Sequence, residues 1–342
     1  LQFIPLLAGL GIDVDVRPFL SDRIFAGLYD RRRALLTGGG IAAGIARRAA
    51  DVFRLRSYDL LFVQREAALI GPALFERIAH RSLPMVLDLD DSTYIERRSE
   101  VFGLLARLLK FHGKTRSLIR WADHVVAGNP NIAAHVESMG TSASVLPTIV
   151  DTAVFVPSSE RRTSGVPVVG WIGTHSTYSY LRSIFPLFRQ LAKEHRFLLR
   201  IVGAGREEEV PGVDVEFLPW RLERELADLQ SFDLALYPII PDAWAEGKSG
   251  FKAIQYLSCG IPYVATPAGV VAQIGCEGQT HLVATSEVEW LDALRRLLSD
   301  PALRERMSRE GRRYAVEHYS VRAHAQALAE IFGNVVKRKG RR

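Results

Sequence analysis

Residues 246–256 read Glu-Gly-Lys-Ser-Gly-Phe-Lys-Ala-Ile-Gln-Tyr, and their types and spacing suit the holding of a polyanion. Gly247 and Gly250 let backbone come close to a ligand, and Lys248 and Lys252 supply positive charge. A helix starting near Ser249 would aim the positive end of its dipole the same way. Glu246 and Phe251 frame the loop, and Gln255, about one turn deeper, carries an amide that can pair with vicinal hydroxyls. Together these parts make a diphosphate cradle that needs no metal. The plainer reading is a surface helix with solvated lysines. Against it stands the apolar run 261–265, a buried strand that would anchor the helix in a sheet.

Other segments carry similar chemistry. In "VGWIGTHSTYSYL" a buried run ends at Gly173, and Thr174, His175, Ser176 and Thr177 then offer hydroxyls and backbone N–H groups at a helix start near Tyr178. Plain N-capping by Ser176 or Thr177 would use the same residues. "RIVGAGREEE" is a second strand ending in glycines, Gly203 first, but it lacks the apolar helix start and closing glycine of a dinucleotide fingerprint. "PMVLDLDDSTY" ends a strand with Asp88, Asp90 and Asp91, a costly cluster unless used. These carboxylates could assist catalysis, bind a divalent cation through Asp88-Leu89-Asp90, or cap a following helix through Ser92 and Thr93. Gly38-Gly39-Gly40-Ile41-Ala42-Ala43 fits GxGxxA but follows a charged helical stretch with no buried strand. It reads as close helix packing or a flexible loop.

The elements that must position these residues alternate along the chain. Apolar runs at 12–16, 59–63, 84–89, 124–127 and 143–146 are separated by helical patterns at 72–79, 102–120 and 132–139. Residues 151–166, rich in proline, serine and charge, read as a linker. The rhythm resumes with strands at 167–172, 197–202, 213–218, 233–237, 261–265 and 281–284, and 301–336 is nearly all helical pattern. The expected fold is α/β, with two doubly wound parallel-sheet domains at 1–150 and 167–318 and a ligand cleft between them. Residues 319–342 form a helix packing back toward the first domain, plus a basic tail.

Bulk properties agree with two globular domains: 342 residues, 48% hydrophobic and 24% charged. No stretch is apolar for long enough to span a membrane, and the start has no secretory signal, which points to the cytoplasm. Leu1 has no methionine before it, and the opening reads as the second half of a helix, so a first strand is expected upstream. Cys259 and Cys276 fit neither a disulfide framework nor a zinc spacing. Of the net charge of +6, much sits in "KRKGRR". Lys337, Arg338, Lys339, Arg341 and Arg342 are either a solvated terminus or a patch for anionic lipid at the inner membrane face. Nucleic acid is not expected, because basic residues elsewhere alternate with acidic ones without stacking aromatics.

"GFKAIQYLSCGIPYVATPAG" resembles the signature of the retaining, nucleotide-sugar-dependent glycosyltransferases of GT-B fold (group 1, family 4-like), where a Glu-Ala-Met-Ala-x-Gly-x-Pro-Val-Val-Ala segment follows the donor loop. "VLPTIVDTAVFVP" resembles that group's interdomain linker, and "VVAGNPNIAAHV" its last first-domain strand and helix. The resemblance implies two Rossmann-like domains and transfer of a hexose from a nucleoside diphosphate sugar to a glycan or lipid-linked acceptor in surface polysaccharide synthesis, with no metal. It implies Gln255 on the donor ribose, the 248–252 loop around diphosphate and sugar, Gly173 and Thr174 against the phosphates, and Pro219 and Trp220 near the base. It also implies Asp90 or Asp91 beside the transferred sugar, with Lys252 stabilising the leaving diphosphate. Two departures stand out. The group's paired glutamates eight apart are here Gly247 and Gln255, with Glu246 one residue out of register, and residues 174–177 hold no lysine or arginine. Either Lys248 and Lys252 have taken over phosphate neutralisation or donor binding is altered. A nucleotide-sugar epimerase of similar fold and a non-catalytic nucleotide-sugar-binding protein remain alternatives.

Overall fold

The computed structural model describes residues 1–27, 33–95, 113–159, 165–241 and 245–340. The chain forms two compact units, Phe3–Pro147 with Ala325–Arg342, and Thr148–His324. Part of the helix expected over 102–120, and the tail residues Arg341 and Arg342, lie outside the described residues.

In the first unit the elements are α1 (Ile4–Gly9), α2 (Asp22–Ala26), α3 (Ala34–Val52), β1 (Leu61–Gln64), α4 (Leu74–Ser82), β2 (Met85–Leu89), α5 (Lys114–Trp121), β3 (His124–Ala127), α6 (Pro130–Ser138) and β4 (Ala143–Val145). The strands form a parallel sheet in the order β1-β2-β3-β4. β2 and β3 are covered on both faces, which is why they read as unbroken apolar runs. The strand expected at 12–16 is not formed. Asp13, Val14, Asp15 and Val16 are all exposed, so their alternation has no buried face to drive pairing. The glycine run at 38–40 lies inside α3. A Cβ on Gly40 would sit 2.7 Å from Ile24, and one on Gly44 2.7 Å from the Phe19 carbonyl, so close packing is what these two glycines provide.

The second unit contains β5 (Val168–Ile172), α7 (Tyr178–Arg182), α8 (Phe185–Leu191), β6 (Leu198–Val202), β7 (Asp214–Leu218), α9 (Glu225–Gln230), β8 (Leu234–Tyr237), α10 (Phe251–Ser258), β9 (Tyr263–Ala265), β10 (Leu282–Val283), α11 (Glu287–Ser299) and α12 (Pro301–Tyr319). Its parallel sheet runs β10-β9-β8-β5-β6-β7, so the chain leaves β5 first toward one edge and then toward the other. The crevice at the carboxyl ends of β5 and β8 is the switch point at which this topology binds ligands. Successive side chains of β5 feed opposite layers: Trp171 joins Phe188, Leu199 and Leu294, while Ile172 joins Tyr256, Leu257 and Tyr263. Residues expected to be a free linker are tied to this unit. Arg312 donates to the carbonyls of Thr152 (2.7 Å) and Phe155 (2.8 Å), and Gln230 to that of Val156 (2.8 Å).

A last helix, α13 (Val321–Lys339), follows Ser320. Its Leu328, Phe332 and Val335 pack with Leu7, Val86, Val126 and Leu146 of the first unit. Lys339 donates to the carbonyls of His80 (2.7 Å) and Leu83 (2.5 Å) at the end of α4 and lies 3.4 Å from Asp123. That ammonium caps a helix and is not offered to a lipid surface. No helix among the described residues is long and apolar enough to cross a membrane.

Gly170, mid-strand in β5, marks the tightest packing in the second unit: a Cβ there would lie 2.0 Å from the Phe232 ring. Gly170→Ala is expected to lower stability by about 1–3 kcal/mol through overpacking. In a Phe232→Ala background the same change should cost much less, a coupling read from urea melts of the four proteins.

Candidate functional site

The site is built where three strand tips meet the start of α10. Beyond β5 and β6 the ladder runs one residue further, Gly173 N–H donating to Val202 and Gly203 N–H to Leu218, both at 2.9 Å. Neither position tolerates a side chain. A Cβ on Gly173 would lie 2.2 Å from the Trp171 indole and 2.8 Å from the Lys252 ammonium. On Gly203, whose φ is +81°, it would lie 2.3 Å from the Gly173 carbonyl and 3.1 Å from Trp220. The tips of β5, β6 and β7 are therefore contiguous.

Thr174, His175 and Ser176 are exposed above these tips. Thr174 Oγ1 and Ser176 Oγ share a hydrogen bond at 2.9 Å, and Thr177 Oγ1 accepts from Thr174 N–H at 3.2 Å. The helix they precede is a single turn and a half, Tyr178–Arg182, too short for the dipole that the sequence reading attached to it. Hydroxyls and backbone N–H groups are what this loop offers.

α10 and the loop before it supply the cations. The N-cap of α10 is Gly250 in the left-handed region (φ +70°), where a Cβ would strike Ile274 at 2.1 Å. This turn sends Lys252 inward over the switch point, its Nζ 5.0 Å from the Trp171 ring on β5, 5.9 Å from the Tyr237 ring on β8 and 3.5 Å from Thr177 Oγ1. Burial, with the Lys248 charge adding to it, pushes the Lys252 ammonium down to about 7. Lys248 Nζ lies 5.8 Å from the Tyr180 ring. Two aromatic faces partly replace water around Lys252, and an anion beside it would complete the replacement.

The remaining residues of the expected cradle are placed differently. Gln255 is only 2% exposed, and its Nε2 has no hydrogen-bond partner. The amide expected on ligand hydroxyls is thus enclosed by protein, one turn into α10. Glu246 and Gly247 lie in a short 3-10 turn (Ala245–Gly247), Glu246 exposed and Gly247 buried, and Phe251 is partly exposed. Pro219 is exposed, and Trp220 is 47% exposed with its indole N–H 3.3 Å from Glu225. The sequence reading missed Trp171, Tyr180 and Tyr237. The signal was there in part, since an indole two residues before the loop glycine lies on the same sheet face as it.

In the first unit the acidic cluster has a partner that was also missed. Arg65, just after β1, donates to both oxygens of Asp90 (2.5 and 3.0 Å) and to Asp91 (2.8 Å). Among the described residues it is the one non-glycine with positive φ (58°), a strained backbone fixed by its N–H donating to the Asp88 carbonyl at 2.9 Å. Asp90 and Asp91 are therefore charge-compensated carboxylates. Burial and the neighbouring Asp90 charge push Asp88 up to about 7, so Asp88 is the carboxyl here that titrates near neutrality. Among the described residues no three His, Cys, Asp or Glu side chains gather in a way that could hold a metal ion.

Residues 166–300 match the family model described as glycosyl transferases group 1. The second unit carries a group 1 glycosyltransferase domain. Solved structures share the wider fold. A glycosyltransferase from Rickettsia africae is 12% identical with a TM-score of 0.65, covering 97% of this chain and 88% of that one. Anabaena HepE, solved with UDP and glucose, is 17% identical with a TM-score of 0.62, covering 96% and 88%. Sucrose-phosphate synthase from Thermosynechococcus elongatus is 14% identical with a TM-score of 0.57, covering 82% and 74%. No curated protein sequence matches. The expected α/β architecture of two Rossmann-like units of GT-B type is thus established, and the match over residues 166–300 marks a glycosyltransferase.

The lowered Lys252 pKa gives this glycosyltransferase a pH signature. Without a bound anion the ammonium is charged below about pH 7 and loses its proton above it. A bound anion favours the charged form, so affinity is fullest below pH 7 and declines as pH rises through it. Titrating inorganic pyrophosphate into wild type and Lys252→Met between pH 6 and 9 should show this decline in excess in the wild type. Parallel curves for the two proteins would refute it.

Proposed function

We propose that this chain moves a hexose from a nucleoside diphosphate sugar to a glycan or lipid-linked acceptor, with retention and without a metal, in surface or exopolysaccharide synthesis. The observation that carries the reading is the Lys252 ammonium, set over Trp171 and Tyr237 at the switch point of the domain that matches the group 1 family. The diphosphate would lie on Lys252 and Lys248, the loop N–H and hydroxyl groups of Thr174–Thr177, and the bare backbone of Gly173 and Gly203. Trp220, exposed at the β7 tip, would stack on the base. HepE, a structural neighbour solved with UDP and with UDP-glucose, makes the uridine nucleotide the first to test.

In the reaction the bond from the anomeric carbon to the diphosphate oxygen breaks as positive charge develops on the sugar. The bond to the acceptor oxygen forms on the same face, and the acceptor proton passes to the departing phosphate. Lys252 and Lys248 stabilise the charge that accumulates on the leaving group. Asp90 and Asp91, held by Arg65, would orient acceptor hydroxyls.

One observation favours a second reading, a binding protein without turnover. Gly247 and the buried, neutral Gln255 stand where the resembling enzymes have glutamates. Sugar transfer from UDP- and GDP-sugars, assayed with and without EDTA, decides between them. Transfer that survives EDTA and falls about 10²–10³-fold in Lys252→Ala is expected. UDP binding with no transfer to any acceptor would favour the binding protein, and UDP release that needs no acceptor would favour an epimerase.

A further inference from the structure

Three buried charged side chains of the first unit have no part in the proposed sugar transfer, and all three converge on residues 66–68, just past the strained turn at Arg65. Each comes from a different helix. Glu76 of α4, 0% exposed, accepts from Ala67 N–H at 2.9 Å. Arg48 of α3 donates to the Ala67 carbonyl at 2.7 Å and to Asp51 at 2.8 Å. Lys114, the first residue of α5, donates to the Ala68 carbonyl, pairs with Glu66 at 3.0 Å and lies 4.0 Å from Glu76 Oε1. Glu76 Oε2 has no hydrogen-bond partner.

Lys114 stands where local preference would not put it. It opens α5 directly after Gly113 (φ +86°), with no acidic side chain in the first turn, so the helix dipole opposes its charge and burial adds to the cost. Apolar side chains of like volume would fill such a space at no less stability. A local rule overridden in this way points to what the group holds, and what Lys114 holds is the turn.

We infer that Lys114 is a positioning residue for the acceptor-side carboxylates: with Glu76 and Arg48 it fixes the 66–68 backbone so that Arg65 keeps its strained turn and its guanidinium stays on Asp90 and Asp91. The chain of contacts is continuous. Arg65 N–H donates to the Asp88 carbonyl, its guanidinium reaches both oxygens of Asp90 and one of Asp91, and the next three residues are tied to α3, α4 and α5. A left-handed arginine persists only where its surroundings over-determine it, and three buried ions supply that constraint. The functional sense of this role rests on the proposed part of Asp90 and Asp91 in acceptor binding; the contacts themselves do not.

The Asp88 carboxyl reports on Arg65 without any ligand. Burial and Asp90 hold Asp88 up at about 7, while Arg65 and the amino group of Leu1 act to lower it. Lys114 is not among the charges that face Asp88, so its loss reaches that carboxyl only through a displaced Arg65. Full-length protein with carbon-13 aspartate carboxyls is titrated between pH 5 and 9, and amide exchange is followed by NMR. Arg65→Met is expected to raise the Asp88 midpoint by about one unit and Lys114→Met by at least about half of that. In Lys114→Met the Arg65 and Ala67 amides should exchange more than about tenfold faster, with those of Leu87 and Val125 within about twofold of wild type. The proposal is overturned if Lys114→Met leaves either the midpoint or the Arg65 exchange unchanged. Uniform loss of protection across the sheet also overturns it, since that marks a structural role alone. Should Lys114→Met fail to fold, Lys114→Met/Glu76→Gln, which removes both charges together, replaces it under the same criteria. In the transfer assay with UDP- and GDP-sugars, activity lost in Arg65→Met but kept in Lys114→Met overturns the role of Lys114. Activity kept in both overturns instead the acceptor-side reading of Asp90 and Asp91.

Discussion

A partly buried lysine ammonium set over two aromatic faces is the constraint around which the second unit is arranged. Charge in such a place is unfavourable unless something replaces hydration. The Trp171 and Tyr237 faces do so only in part, as the lowered proton affinity of Lys252 records. Each of the nearby glycines follows from that placement. Gly173 has no Cβ because the indole and the ammonium occupy its space, and Gly203 has none because the Gly173 carbonyl does. Gly250 takes a left-handed turn so that α10 can begin where Lys252 reaches the switch point. The charge on Lys252 is incompletely compensated by protein, and an anionic ligand is what would compensate it.

That arrangement bears on the two missing glutamates. A carboxylate at 247 or 255 would stand on the same loop and helix as Lys248 and Lys252, offsetting the field that draws in a diphosphate. With glycine and glutamine at these positions, neither residue offsets the lysine charges. The buried Gln255 amide with its unpartnered Nε2 is neutral, so it adds hydrogen-bonding capacity without changing the local charge. On this view the departures from the family pattern and the two lysines belong to one electrostatic solution.

Much of this was legible in the sequence because strands buried on both faces write themselves as unbroken apolar runs. β2, β3, β5 and β8 fall within a residue or two of where those runs lie. The run at 12–16 misled because valine alternating with aspartate has strand-like periodicity but no face to bury. For Gln255, spacing along a helix gives its side but not what covers it, and the amide is almost wholly enclosed. Arg65 was invisible for a different reason. Its partners Asp90 and Asp91 come from the neighbouring strand, and only the parallel register of β1 with β2, Gln64 opposite Asp88, brings them together.

Charge counting shows the same limit. A net charge of +6 with five basic residues among the last six points to the tail as the membrane-facing feature. Yet one of those residues caps α4, and on α3 the cations that a helical wheel would assign to a solvated face are turned inward, Arg48 onto Asp51 and two carbonyls. A basic residue already committed to a buried carboxylate or a helix end contributes little to the field outside the protein. What can act on a surface is the charge left after such internal partners are subtracted.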